Sequence, residues 1–216
     1  MKKKSCNIIL SSAYLGPIQY FSRFISEEDI LIEQYDHYLK QTYRNRCVIL
    51  SANGPLPLII PVVKEHGKKM LMKDVQIDYA TNWQRLHLNG IISAYRSSAF
   101  FEFYFDGFEP FYRKKTTFLI DLNTEMTKII LDYLGIDREI RLTKEFLKPE
   151  GLSNDYRATI HPKVSLASDQ EYHPVPYMQT FSDRHDFIPN MSIIDLLFNA
   201  GPEARLILDA GIENNK

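Results

Sequence analysis

RNRCVILSANGPLPLIIPVV, Arg44 to Val63, is the stretch whose reading decides the fold. Val48, Ile49 and Leu50 form an apolar run that ends at the Asn53-Gly54 pair, a strong hairpin signal. A strand over RNRCVILSA therefore folds back on a second one, PLPLIIPVV. Pro55, Pro57 and Pro61 all stand at odd positions, so their missing N–H groups face one way, as suits an edge strand or a bulge. Upstream, NIILSSA (7–13) and DILIEQYD (29–36) read as short strands. Between them Pro17 opens a helix with Ile18, Phe21 and Ile25 at helical spacing. Gly67 offers a further turn before MLMKDVQID.

Beyond about Tyr79 the pattern changes to helices, expected over Asn82–Ser97, Asn123–Leu134 and Ser192–Asn199, with Gly135 ending the second. FFEFYFDGFEPFY crowds eight aromatics into Phe100 to Tyr112, which reads as a packing surface between the two halves or as a platform for sugars or bases. Pro149 to Pro176 has little periodicity and reads as a long loop, able to serve as a lid. Strands first and helices later imply an α+β fold, taken as one domain over 1–216 with a β-rich part to about 79 and a helix-rich part after it.

The 26 basic and 27 acidic residues leave a net charge of −1, without the basic excess of a nucleic-acid binder. No apolar run reaches the ~20 residues of a membrane span, and no convincing signal peptide opens the chain, so no membrane insertion and a cytoplasmic location are expected. Cys6 and Cys47 fall outside any C-x-x-C pattern and are expected to be free thiols without metal. His161 and His173 with Asp169 have no recognised metal spacing. Neither a Gly-rich phosphate loop nor a G-x-S-x-G elbow occurs, which disfavours ATP-driven and nicotinamide enzymes of the common folds and implies no cofactor.

Chemistry concentrates in KQTYRNRCVI. In an extended chain Arg44 and Arg46 share one face, and two guanidiniums so placed can grip a phosphate or carboxylate. The alternative is a polar strand end paired with Glu33 or Asp36. Arg46 is expected to lie the deeper of the two. Cys47 reads either as a nucleophile activated by its arginine neighbours or as a buried strand residue. His87, four residues after Trp83 and four before Ile91, lies on the apolar stripe of its helix. There it is either a proton shuttle facing a cleft shared with Arg46 and Asn45 or a core histidine.

Taken in order, SSAYLGPIQYFSRF, KQTYRNRCVI, NGPLPLIIPV, NWQRLHLNGIISAYRSSAFFEFY and PNMSIIDLLFNAGPEA resemble the WbqC-like family of bacterial proteins over nearly the whole chain. Pro17, Tyr20, Lys40, Asn45, Arg46, Trp83, His87, Tyr95, Asn190, Ser192 and Asp195 match its motifs, whereas Leu88 stands where the family commonly has Trp. The resemblance implies a setting in surface-polysaccharide (O-antigen-type) biosynthesis and a transferase acting on a nucleotide-linked or amino sugar. Lys40, Tyr43, Arg44, Asn45, Arg46, Tyr95 and Asn190 would bind an anionic substrate, and His87 would move the proton. The other class is a non-catalytic module that binds a glycan or an assembly partner through an exposed aromatic patch.

Overall fold

The computed structural model describes residues 7–63, 69–150, 152 and 154–213. Its elements run β1 (Ile8–Ser11), α1 (Ile18–Ser22), β2 (Ile30–Glu33), β3 (Arg46–Ser51), β4 (Gly54–Ile59), α2 (Trp83–Tyr95), α3 (Phe101–Arg113), α4 (Leu119–Tyr133), β5 (Arg141–Leu142), α5 (Ile193–Ala200) and α6 (Ala204–Glu213). The α+β expectation holds, with four of the five strands before Ile60 and the five longer helices after Tyr79.

The hairpin read from Arg44–Val63 is present, with β3 and β4 antiparallel and Ser51 opposite Gly54. Ala52 and Asn53 form the loop and Gly54 takes the positive φ of 97°, so the turn sits one residue earlier than the Asn-Gly pair implied. β4 pairs with β3 alone, and its prolines therefore lie on an edge. α2 packs on this hairpin, close enough at Gly90 that a Cβ there would stand 3.4 Å from Leu58. Its register follows the apolar stripe: Trp83, His87, Ile91 and Tyr95 are all buried.

The other sheet is parallel, in the order β1-β2-β5, with Ile8 opposite Ile30 and Leu31 opposite Arg141. Asp155 pairs in parallel with Ile9 on the free side of β1, closed by Ile9 N–H to Asn154 O and Tyr156 N–H to Ile9 O, both 2.9 Å. Two segments from beyond Tyr79 thus complete a sheet begun at Ile8, and the buried core runs continuously through both parts of the chain. The long loop is not a free lid. It is tied to β1 at Asp155, to Arg23 of α1's C-terminal turn through Asp169, and to α6 by His173 N–H to Gly211 O.

MLMKDVQID forms a short 3-10 turn (Met72–Asp74) and isolated bridges, and the Gly67 turn lies outside the described residues. The helix expected from Asn123 starts four residues earlier, at Leu119, because Leu119, Ile120 and Leu122 already bury one face. The aromatic block is a helix, α3. Phe101, Phe108 and Tyr112 repeat along its inner face, and Phe101 and Phe108 meet Phe198 of α5 at centroid distances of 5.2 and 5.9 Å. Gly107 admits the Tyr133 side chain of α4, and Pro110 falls in the last turn.

No helix among the described residues is long and apolar enough to cross a membrane. The end of α5 depends on Gly201, at φ 55° and ψ −126°, where a Cβ would come within 2.5 Å of the Phe100 ring. Gly201→Ala should therefore cost about 1–3 kcal/mol, seen as a lower urea midpoint at unchanged slope.

Candidate functional site

The parallel sheet directs the carboxyl ends of its strands to one place, the usual location of a ligand crevice in such sheets. β2 ends at Glu33, which is buried and nevertheless meets four donors. The N–H of Tyr35 and the hydroxyl of Thr143 reach Oε1 at 2.8 Å, and the N–H of Leu147 and Arg157 Nη1 reach Oε2 at 2.9 and 3.2 Å. Arg157 also holds Asp155 in a fork, Nε to Oδ1 at 2.8 Å and Nη2 to Oδ2 at 2.6 Å, and donates from Nη2 to Leu147 O at 2.8 Å. Burial opposes ionisation of Asp155, but these bonds overcome it and hold its carboxyl below the usual range.

Beside this network opens a cavity of about 630 Å³, walled by Asp36, Leu39, Arg44, Phe146, Pro149, Asp155, Arg157, Ala158, His161, Lys163 and Val164. Three cations (Arg44, Arg157 and Lys163) and two carboxylates (Asp36 and Asp155) line it. Arg44 is only 3% exposed and donates from Nη2 to Asp36 Oδ2 at 2.5 Å. Burial lowers its pKa, Asp36 opposes that, and nearby Arg157 adds to it. His161 Nδ1 accepts the N–H of Lys163 at 3.1 Å, so the neutral ring carries its proton on Nε2. Burial, then Lys163 and Arg44, push the His161 pKa below its ordinary value. A smaller cavity, lined by Ser11, Ser12, Tyr20, Tyr43 and Tyr156 among others, shares Arg44 as a wall.

Of the residues singled out in the sequence, Arg44 lines the larger cavity, and Arg44 and Tyr43 line the smaller one. Arg44 does so from a turn rather than a strand, so it and Arg46 form no shared strand face. Their order of depth is reversed as well. Arg46 is half-buried beside Tyr38 and Tyr43, and its Nε meets no acceptor among the described residues, whereas Arg44 is covered by the loop that carries Arg157 and His161. Lys40 is exposed. Asn45 is buried and donates from Nδ2 to Ile60 O at 2.7 Å, closing the open end of the hairpin.

His87 and Asn45 do come together at the end of β4, as a brace. His87 is 4% exposed, and its Nε2 lies 3.2 Å from Ile59 O. A carbonyl can only accept, so Nε2 donates there and Nδ1 accepts from Tyr14 OH at 2.9 Å. Tyr14 OH in turn accepts from Tyr112 OH at 2.8 Å. Burial, not the arginines, lowers the His87 pKa to about 4. Tyr95 and Asn190 are braces too. Tyr95 OH donates to Asp195 Oδ1 at 2.8 Å and accepts the N–H of Leu50 at 3.1 Å. Asn190, at a positive φ of 58°, accepts the N–H of Gln19 at 2.9 Å. Asp195 is fully buried and also takes the hydroxyl of Tyr177 (2.5 Å) and Nε2 of Gln179 (2.9 Å).

Cys47 is buried and unpaired, and burial raises its thiol pKa, the opposite of activation by neighbouring arginines. Cys6 lies outside the described residues. No group of three or more His, Cys, Asp or Glu that could hold a metal occurs among the described residues. Arg44 pairs with Asp36, as the polar strand-end alternative expected, and the cleft residues given no binding role from the sequence are Phe146, Arg157, His161 and Lys163. The available signal was three basic or imidazole side chains within seven residues of a loop.

The model of the WbqC-like protein family matches residues 12–169 and 166–207, which include the cleft and all the braces. The chain belongs to the WbqC-like protein family. It is also similar to the uncharacterized protein Rv1507c of Mycobacterium tuberculosis (strain ATCC 25618 / H37Rv), with 27% identity over 218 residues, 91% of this chain and 94% of that protein. No solved structure matches it.

For the brace, the linkage sign is fixed by the lowered pKa of His87. Between pH 6.5 and about 4 the unfolded chain binds the proton that the folded one refuses. The His87 contribution, up to about 3 kcal/mol, is complete above pH 6.5 and is lost as pH falls towards 4. Urea midpoints across this range should fall less steeply in His87→Gln than in the unsubstituted protein.

Proposed function

We propose that this WbqC-like protein is a cytoplasmic transferase that binds the phosphate groups of a nucleotide-linked sugar in the Arg44–Arg157 cleft, within surface-polysaccharide biosynthesis. The observation that carries the reading is an open cavity flanked by two nearly fully buried, pre-oriented guanidiniums, with Lys163 and His161 also on its wall. Each arginine is already held by carboxylates, so its fork is positioned before any ligand arrives. Asp36 is the only side-chain acceptor that Arg44 meets among the described residues, which leaves donors for an anion. The pathway and the sugar come from the family resemblance; the charge and shape of the cleft support the phosphate.

His161 takes the proton-handling role in this reading, because it borders the cavity and both nitrogens of His87 are engaged inside the protein. Neutral His161 donates a hydrogen bond through Nε2, and in its protonated form the same atom is an acid beside a leaving oxygen. A non-catalytic module using the aromatic block is disfavoured, since Phe101, Phe108 and Tyr112 face inward and Phe103 alone of the eight aromatics is exposed.

Millimolar nucleotide sugars should raise the melting temperature of the full chain, less so at high salt. Lys163→Glu leaves the packing untouched, and it should weaken binding by about tenfold or more. No stabilisation by any nucleotide sugar or pyrophosphate would sink the reading. Burial, then Lys163 and Arg44, hold His161 below its ordinary pKa, so it takes up its proton only in a more acidic range than a free imidazole. Anion binding should tighten as pH falls through that range, and His161→Asn should flatten the dependence in calorimetric titrations.

A further inference from the structure

The mouth of the cleft is apolar. Leu39, Phe146 and Val164 are 52%, 46% and 40% exposed, three of the ten large hydrophobic side chains left in solvent among the described residues, and all three border this one cavity. They come from separate segments: the loop after β2, the loop after β5 and the long loop. Exposed apolar side chains gathered round a concave, charged floor mark a ligand with an apolar body next to its charge.

The Phe146 ring is held in place. The N–H of its neighbour Leu147 is fixed to Glu33 and the carbonyl of Leu147 to Arg157, while the Arg157 guanidinium sits 5.4 Å from the ring centroid. One face of the ring is therefore set against a cation, and the ring borders the cavity. The apolar wall residues Leu39, Phe146, Pro149, Ala158 and Val164 carry no hydrogen-bonding side-chain group. Such a wall can recognise a flat ring by contact, and every base has a π-face, so it cannot read which base is present.

Resting on the phosphate-binding reading above, we propose that the cleft binds a nucleoside diphosphate with its base stacked on Phe146 between Leu39 and Val164 and its phosphates towards Arg44, and that these side chains do not choose among bases. Phe146 is then the determinant that separates a nucleotide from a bare phosphate. Calorimetric titration of the full chain with UDP, CDP, ADP, GDP and inorganic pyrophosphate tests this, with farnesyl pyrophosphate as the apolar-chain arm. The four nucleotides should agree within about threefold and each bind about tenfold tighter than pyrophosphate. Phe146→Ala, checked for an unchanged urea midpoint, should remove that tenfold and leave pyrophosphate affinity as it was, while Phe146→Trp should retain it. One base preferred by about tenfold or more, farnesyl pyrophosphate outbinding the nucleotides, or an unaffected Phe146→Ala would each overturn the stacking. Pyrophosphate binding as tightly as the nucleotides overturns the inference and leaves the anion cleft standing; no binding by either overturns the cleft itself.

Discussion

Glu33 is a carboxylate with almost no contact with water at the end of the central strand of the parallel sheet, and the arrangement around the cleft depends on how it is satisfied. An isolated buried charge would cost several kcal/mol, more than most single interactions return. Here four donors reach it from Tyr35, Thr143, Leu147 and Arg157. Each donor lies on a different stretch of chain or a different turn of it. Satisfying one charge therefore fixes the loop after β2, the loop after β5 and the start of the long loop against each other. Arg157 passes the constraint on by holding Asp155, which pairs with β1, and by lying against Phe146. The cleft is the space left between parts pinned to this carboxylate.

A second set of polar groups does for the helices what Glu33 does for the loops. The chain Tyr112–Tyr14–His87–Ile59 links α3, the segment after β1, α2 and β4. The group around Asp195 links α5 with Tyr95 of α2 and, through Tyr95, with Leu50 of β3. Asn190 and Ser192 fasten the same region to Gln19 and to Leu15 O. Several residues that carry the family resemblance (Asn45, His87, Tyr95, Asn190, Ser192 and Asp195) thus act as interior fasteners. In a low-dielectric interior an unpaired polar group is costly, so such residues come as mutually dependent sets.

The fold was legible wherever local pattern and tertiary packing agreed. The β3–β4 hairpin, α2 and α5 follow from turn chemistry and apolar periodicity; β3, α2 and α5 keep their expected bounds within two residues, whereas β4 ends at Ile59, four residues before Val63. The aromatic block was read as a surface and not for its period, although Phe101, Phe108 and Tyr112 stand at the helical spacing of α3. Arg44 was found through charge density, yet the same cue raised Arg46, whose neighbours are Tyr38 and Tyr43 rather than the cavity. His87 shows the limit of periodicity, which places a side chain on the inner face and says nothing of whether a cavity meets it there.

The sequence by itself determined the family, the α+β class, the hairpin and the inward face of the main helices, because periods of two and 3.6 residues and turn residues are local properties. Only the tertiary structure decided that β1, β2 and β5 run parallel, and that Arg157, His161 and Lys163 reach Arg44 from more than a hundred residues away. Parallel pairing leaves no hairpin signal, and a two-residue strand such as β5 is too short for a pattern. The loop has no period of its own. Its position follows from the charges and backbone groups it satisfies on the sheet, and those partners are identified only once the chain has closed.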